Sequence, residues 1–237
     1  MSQSETLQST SLMSGLIDIY VDPKKALSAA DEQSGWTMLP LALVLMVPAV
    51  MVAYYFQTVD FNWFIDQMAA ASPEEFPEEA IEFLSPTVMM TTGVIGATIS
   101  GLVGVVLNGL YLHFLAKITT TDSRKYGAWF RLAVWAAMPA AIIGVLAALL
   151  NYMLAGTNQV GLDDLAFYSV NSLFTHIPMG QPGASVMNAL TPFTLWTVAL
   201  TGMGLHLWTG RTMGKSLILA AIPAIIVYSV WSVVSFG

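Results

Sequence analysis

Residues 85–116 read SPTVMMTTGVIGATISGLVGVVLNGLYLHFLA. No Asp, Glu, Lys or Arg interrupts the stretch, and it is longer than the roughly 20 apolar residues that cross a hydrocarbon core. It reads as a membrane-spanning helix that tilts or begins outside the bilayer. Gly93, Ala97, Gly101, Gly104 and Asn108 recur in it at spacings of three or four. That spacing puts them on one helical face, and small residues let helices approach closely where lipid removes the hydrophobic driving force. The same face also has the makings of a substrate path, with packing the weightier of the two readings.

Four more apolar runs flank this one, and together they give spans at about 36–56, 88–116, 132–154, 187–208 and 216–236. None of the spans contains an Asp, Glu, Lys or Arg. The chain is 56% hydrophobic and only 10% charged, with a mean hydropathy of +0.67. A soluble domain carries about 25% charged residues, so most of this surface must face lipid. The expected fold is an all-α membrane protein, a five-helix bundle. Pro48, Pro139, Pro192 and Pro223 lie inside or near spans one, three, four and five and predict kinks there. Four kinked helices around a small-residue helix could enclose a cavity.

The basic residues orient the bundle. Lys24 and Lys25 precede the first span. Lys117, Arg124, Lys125 and Arg131 fall between the second and third, and Arg211 and Lys215 between the fourth and fifth. Connections 57–87 and 155–186 carry none. Cytoplasmic loops collect Lys and Arg, so the pattern predicts the N-terminus inside and the C-terminus outside.

The rest of the chain divides as follows. Residues 1–11 read as a disordered tail, residues 12–35 as cytoplasmic interfacial helices and residues 36–237 as the membrane domain. Leu12, Met13, Leu16, Ile17 and Tyr20 follow a helical period. Asp22-Pro23 reads as an N-cap followed by proline at the first helical position. Trp36 is placed as an interfacial anchor. The first outer connection holds Asp60, Asp66, Glu74, Glu75, Glu78, Glu79 and Glu82, with a short helix suggested by Phe61, Trp63, Phe64, Ile65 and Met68 and helix starts at Ser72-Pro73 and Pro77.

Several chemistries are disfavoured. The net charge of −7 without a basic patch argues against nucleic acid. Cysteine is absent, which removes thiolate catalysis and Cys-based metal sites. Thr209-Gly210-Arg211-Thr212-Met213-Gly214-Lys215-Ser216 looks like a phosphate loop, but Thr209 stands where the first glycine belongs and no strand precedes it. It reads as a tight turn between spans. The acids of the first outer connection lack the spacing of a calcium loop and read as a solvated face. No catalytic constellation lies in the spans, so an enzyme is not expected, nor a cofactor or metal. The polar candidates are Asn108, His113 and His206, for a ligand or proton site, against a background expectation of packed or interfacial histidines. His176 falls in an outer connection.

This layout, with a short cytoplasmic N-terminal segment, five close-packed spans and a Gly-rich second span, resembles the Yip family of Ypt/Rab-interacting-protein-like membrane proteins. The eukaryotic branch carries Asp-Leu-Tyr-Gly-Pro before its first span. Here Asp18-Ile19-Tyr20-Val21-Asp22-Pro23 is similar, with Asp18, Tyr20 and Pro23 corresponding if one extra residue precedes the proline. The resemblance implies a helical membrane protein without known catalytic residues. The N-terminal segment is shorter than the eukaryotic one, which disfavours a Rab-type GTPase partner and makes the chain look like a bacterial inner-membrane member. The expected function is therefore that of a non-enzymatic membrane-organising or interaction protein. It would sit among lipid with possible homo-oligomeric or other membrane-protein partners. The alternative is a small channel or transporter for an ion or solute.

Overall fold

The computed structural model describes residues 11–71, 83–119 and 123–236. The tail at residues 1–10, the acids Glu74, Glu75, Glu78, Glu79 and Glu82, and the helix starts expected at Ser72-Pro73 and Pro77 lie outside the described residues. Every regular element described is helical: α1 (Leu12–Val21), α2 (Pro23–Glu32), α3 (Met38–Thr58), α4 (Phe61–Ala71), α5 (Pro86–Thr119), α6 (Tyr126–Leu154), α7 (Leu162–Leu165), α8 (Ala184–Ala189), α9 (Pro192–Thr209) and α10 (Met213–Phe236), with one π-helical turn at Asn171–Thr175.

Among the described residues, four helices are long and apolar enough to cross a membrane: α3, α5, α6 and α10. The fourth expected span differs. Residues 184–189 form the separate α8, Leu190 and Thr191 are extended, and α9 begins with Pro192 at its first turn. Pro192 is therefore a helix start and not a kink, because proline lacks only an N–H that has no intrahelical partner there. α9 has 18 residues, about 27 Å at ~1.5 Å per residue. Thr194, Thr197, Thr201, Gly202, Gly204 and His206 dilute its apolar character. Protein contact explains the dilution: Leu200, Thr201, Gly202, Gly204, Leu205 and Trp208 are buried against neighbouring helices.

The central helix is α6, where the small-residue helix α5 was expected. α6 packs against α1, α2, α3, α5, α7 and α9. Arg131 through Ala136 are all buried, which requires neighbours on every side of the helix. α5 packs against α3 and α6 and leaves Ile95, Ile99, Leu102, Val103 and Leu107 exposed for lipid. The glycine face works mainly toward α3. A methyl on Gly93 would meet Val52 Cγ1 at 2.8 Å, and one on Gly101 would meet Leu45 Cδ2 at 3.3 Å. Gly104 has open space instead. α5 comes close to the backbone of α6 at Gly109, whose added methyl would lie 2.9 Å from Phe130 Cα.

One end of the bundle is covered by the α1–α2 hairpin. Ser11 caps α1, and Asp22 caps α2 by accepting from the Lys25 N–H at 3.2 Å, with Pro23 following it. Asp18 and Lys25 pair across the hairpin at 2.8 Å. Ala26, Leu27 and Ala30 are fully buried against α6 and α9. The hairpin thus docks onto the bundle and does not merely lie on a surface. Trp36 is buried too: its ring stacks on Trp135 at 5.8 Å, and its carbonyl accepts from Trp135 Nε1 at 2.7 Å. An interfacial anchor would keep its ring at headgroup level, whereas this one fills the seam.

Candidate functional site

Arg131 lies in the second turn of α6 and not in a connection as expected. It is 6% exposed. A helix leaves its last carbonyls without intrahelical partners, and Arg131 uses two of those at the end of α2. Nε donates to the Ala30 carbonyl and Nη2 to the Asp31 carbonyl at 3.0 Å. Beside it, Arg124 makes a bidentate pair with the Asp31 carboxylate at 2.9 and 2.7 Å, donates to the Trp208 carbonyl at 2.9 Å, and lies 5.5 Å from the Trp208 ring centroid. Trp208 Nε1 donates to the Leu27 carbonyl at 3.1 Å. These bonds latch the hairpin to α6 and α9. The sequence showed these cations only as orientation signals.

The three family-signature positions belong to the same hairpin. Asp18 pairs with Lys25, Pro23 opens α2, and Tyr20 packs edge-on against Trp196 at 6.1 Å. Burial raises the Tyr20 hydroxyl above its ordinary pKa.

The polar candidates separate. His206 Nδ1 donates to the Arg211 carbonyl, closing the turn in which Gly210 takes φ +68° and returns its N–H to the His206 carbonyl. Glycine suits that left-handed position, so the phosphate-loop look-alike is a helix stop and restart. His113 packs edge-on against Tyr126 at 6.2 Å, with Nδ1 buried and unpartnered. Neither histidine lines the two clefts that meet at Asn108.

The first cleft, 410 Å³, lies between α5, α9 and α10. Asn108, Thr194, Thr197, Thr201 and Tyr228 supply its polar groups, and Leu107, Val198, Pro223, Val227 and Trp231 its apolar wall. The second, 460 Å³, lies between α3, α5, α6 and α9, and its wall is mostly small: Ala97, Gly101, Gly104, Ala133, Ala137 and Ala141. Gly104, Asn108 and Thr197 line both. The end of the first cleft away from the hairpin is tied by Tyr228, whose hydroxyl lies 3.2 Å from Thr194 Oγ1 and donates to the Ala189 carbonyl at 3.1 Å. Toward the hairpin, Tyr111 donates to the Leu219 carbonyl at 2.8 Å and joins α5 to α10. Asn108 was legible as an amide in an apolar run. The four-residue step from Thr197 to Thr201 is its counterpart on α9, and that spacing was the available signal.

A third cleft of 280 Å³ sits at the end away from the hairpin, lined in part by Trp63, Asp163, Asp164, Asn171 and His176. Burial pushes the Asp163 carboxyl above the usual range, against a lowering hydrogen bond from Asn188 and with help from the Asp164 charge. The Gln159 amide, 2.9 Å from Asp60, and the Trp63 N–H hold the Asp60 carboxyl below that range. Among the described residues no group of three His, Asp or Glu could hold a metal ion.

A family model described as the Yip1 domain matches residues 17–234. No curated protein and no solved structure matches the chain.

Proposed function

The chain belongs to the Yip1 domain family, and we propose that it works as a non-enzymatic organiser of the membrane or of other membrane proteins. α9 is the fourth of five spans, the α1–α2 hairpin lies on the cytoplasmic side, the C-terminus lies outside, and the membrane is a bacterial inner membrane. The basic residues favour this orientation, since Lys24, Lys25, Lys117, Arg124, Lys125, Arg211 and Lys215 gather at the hairpin end.

One observation carries the organising reading. Beneath the hairpin, Leu112, Trp129, Leu132, Trp135 and Leu205 fill the bundle with 1% exposure or less. Such packing fills that end of the bundle among the described residues, while α5 and α10 turn apolar faces outward. The protein lacks cysteine, so introduced cysteines are unique. Cysteines at Ile95 and Ile99 should crosslink to a second copy or another membrane protein in native membranes, and one at Ala133 should not. No crosslink from either exposed position would sink the organising role. A reporter active only in the cytoplasm, fused to the C-terminus, should stay silent; a signal would overturn the five-span orientation.

The second reading, a small channel or transporter, draws support from the polar cleft at Asn108. Flux of ions or neutral solutes into proteoliposomes, abolished by Gly104→Leu, would favour it over the first.

A further inference from the structure

The cleft between α5, α9 and α10 contains polar groups that the protein does not satisfy. Thr201 lines it, is 2% exposed, and its hydroxyl has no hydrogen-bond partner. A helical threonine ordinarily returns its hydroxyl to the carbonyl one turn back, as Thr98 does to Val94 at 2.8 Å and Thr209 does to Leu205. Thr201 does not. The Asn108 amide faces both clefts and makes no hydrogen bond to another described residue. Along their helices these groups stand about 16 Å (Asn108) and about 12 Å (Thr201) from the hairpin-end termini, at ~1.5 Å per residue. That is deep within a hydrocarbon core ~30 Å thick. With no water in the hydrocarbon to satisfy them, unpaired polar groups are disfavoured there, so a resident that supplies partners is favoured.

The chemistry of the walls limits that resident. No Asp, Glu, Lys, Arg or His lines the cleft, and a phosphate or ammonium at this depth would lack a counter-charge. Asn108 offers both an amide donor and a carbonyl acceptor, and Thr201 a hydroxyl that can do either. The mouth opens sideways between Leu107 and Val227, which are 59% and 58% exposed. A volume of 410 Å³ holds a small head and the start of a tail, not a whole lipid.

We propose that this cleft binds an uncharged lipid whose small head carries carbonyl or hydroxyl oxygens. The head hydrogen-bonds to Asn108 and Thr201, and the tail leaves past Leu107, Val227 and Trp231 into the bilayer. A diacylglycerol and an isoprenoid quinone share this chemistry.

The test uses the full chain in nanodiscs with three photoactivatable probes: a diacylglycerol, an isoprenoid quinone and, as the charged control, a phosphatidylglycerol. Labelled peptides are mapped by mass spectrometry. The expected result is labelling around Leu107–Asn108 and Val227–Trp231 by at least one uncharged probe, falling tenfold under a tenfold excess of its unlabelled form. Which of the two uncharged probes labels identifies the head. Gly104→Leu should lower the yield at least tenfold, because a Cβ added there meets nothing within 4 Å and the longer side chain is built into the cleft that Gly104 lines. Thr201→Val, which keeps the shape and removes the hydroxyl, should lower it several-fold. Phosphatidylglycerol labelling should be weak at these positions and indifferent to both substitutions. Equal labelling by the charged probe overturns the proposal. So does labelling by the uncharged probes that neither competition nor Gly104→Leu reduces, or a full-yield crosslink between the Leu107 positions of two copies. The competition arm needs no variant, so a misfolded substitution does not blunt the test.

Discussion

Replacing Arg131 by Met separates the latch from the rest of the core. The substitution keeps an unbranched side chain of similar length in the α6 seam but removes two charge-assisted donors from the last carbonyls of α2. Hydrogen bonds to charged groups are worth ~1.5–3 kcal/mol each, a gross loss of ~3–6 kcal/mol by that scale. Relief of the desolvation of a guanidinium that is 6% exposed offsets part of this. A net of ~2–3 kcal/mol corresponds to a roughly 30- to 140-fold shift toward the undocked hairpin, at ~1.4 kcal/mol per tenfold. The hydrophobic seat formed by Ile19, Ala26, Leu27 and Ala30 remains, so the bundle itself stays folded. Amide hydrogen exchange reads the result directly. Exchange of the α2 amides from Leu27 to Glu32 should accelerate by that factor, while α3 and the far half of α6 stay protected. Asp31→Asn should have a smaller effect, about 1 kcal/mol at most, because its pair with Arg124 is 25–28% exposed and the Asp31 carbonyl is retained. Lys24→Met, an exposed change of equal charge, should do nothing. Unchanged α2 exchange in Arg131→Met, or a larger effect from Asp31→Asn, would refute the latch.

Two further expectations are simpler to measure. Alanine at Gly109 should destabilise the protein by ~1–3 kcal/mol because its neighbour is the Phe130 backbone, and alanine at Gly93 by less because the Val52 methyl can move; alanine at Gly96, which faces open space, should stabilise by up to about 1 kcal/mol through helix propensity. Equal shifts in melting temperature for all three would contradict the seam. Asp163 is the acid to test by pH. Its raised folded pKa means that its protonated form favours the folded end opposite the hairpin, so its contribution is full below the ordinary aspartate range and fades as pH rises through the raised value. The melting temperature of the unmodified protein relative to Asp163→Asn should therefore increase as pH falls from 7, and a shrinking difference would refute the assignment. Asp60, held low by Gln159 and Trp63, acts in the opposite sense and only at more acid pH, losing its contribution as pH falls through its depressed value.

The sequence reveals what lipid touches. α3, α5 and α10 turn exposed faces to hydrocarbon and α6 is apolar over most of its length, so composition locates all four, within three residues at each end except at the start of α6, which begins six residues before the expected span. α9 is less legible for the same physical reason. Gly202 and Gly204 are buried against neighbouring helices, Thr194, Thr197 and Thr201 line a cleft between helices, and His206 closes a turn, so the run is less apolar than a lipid-facing one, and its start at Pro192 is a matter of local backbone geometry. Arg131 is misleading because charge normally marks the end of a span. Here the guanidinium is satisfied by α2 carbonyls about a hundred residues away in sequence, and no local pattern announces a partner at that distance. Asp31 and Arg124 pair across a similar separation.

The small-residue face shows why spacing does not by itself assign a role. Gly93 and Gly101 admit α3, whereas Gly104, on the same stripe, admits nothing and becomes the neck between two clefts. Gly109, off the stripe, is the one of these that meets backbone, at Phe130 of α6. The difference lies in the direction α5 takes across its neighbours: it is held to α3 and α6 by its glycines, and to α10 through Tyr111 on the hairpin side. Elsewhere along its length a gap opens toward α9 and α10. That gap falls where Asn108, Thr197 and Thr201 stand, and polar residues facing an opening in the hydrocarbon are costly unless something occupies it. A close-packed bundle that served only as a scaffold would be more stable with Leu at 104 and Val at 201, and the cost of keeping Gly and Thr there is the physical case for a ligand.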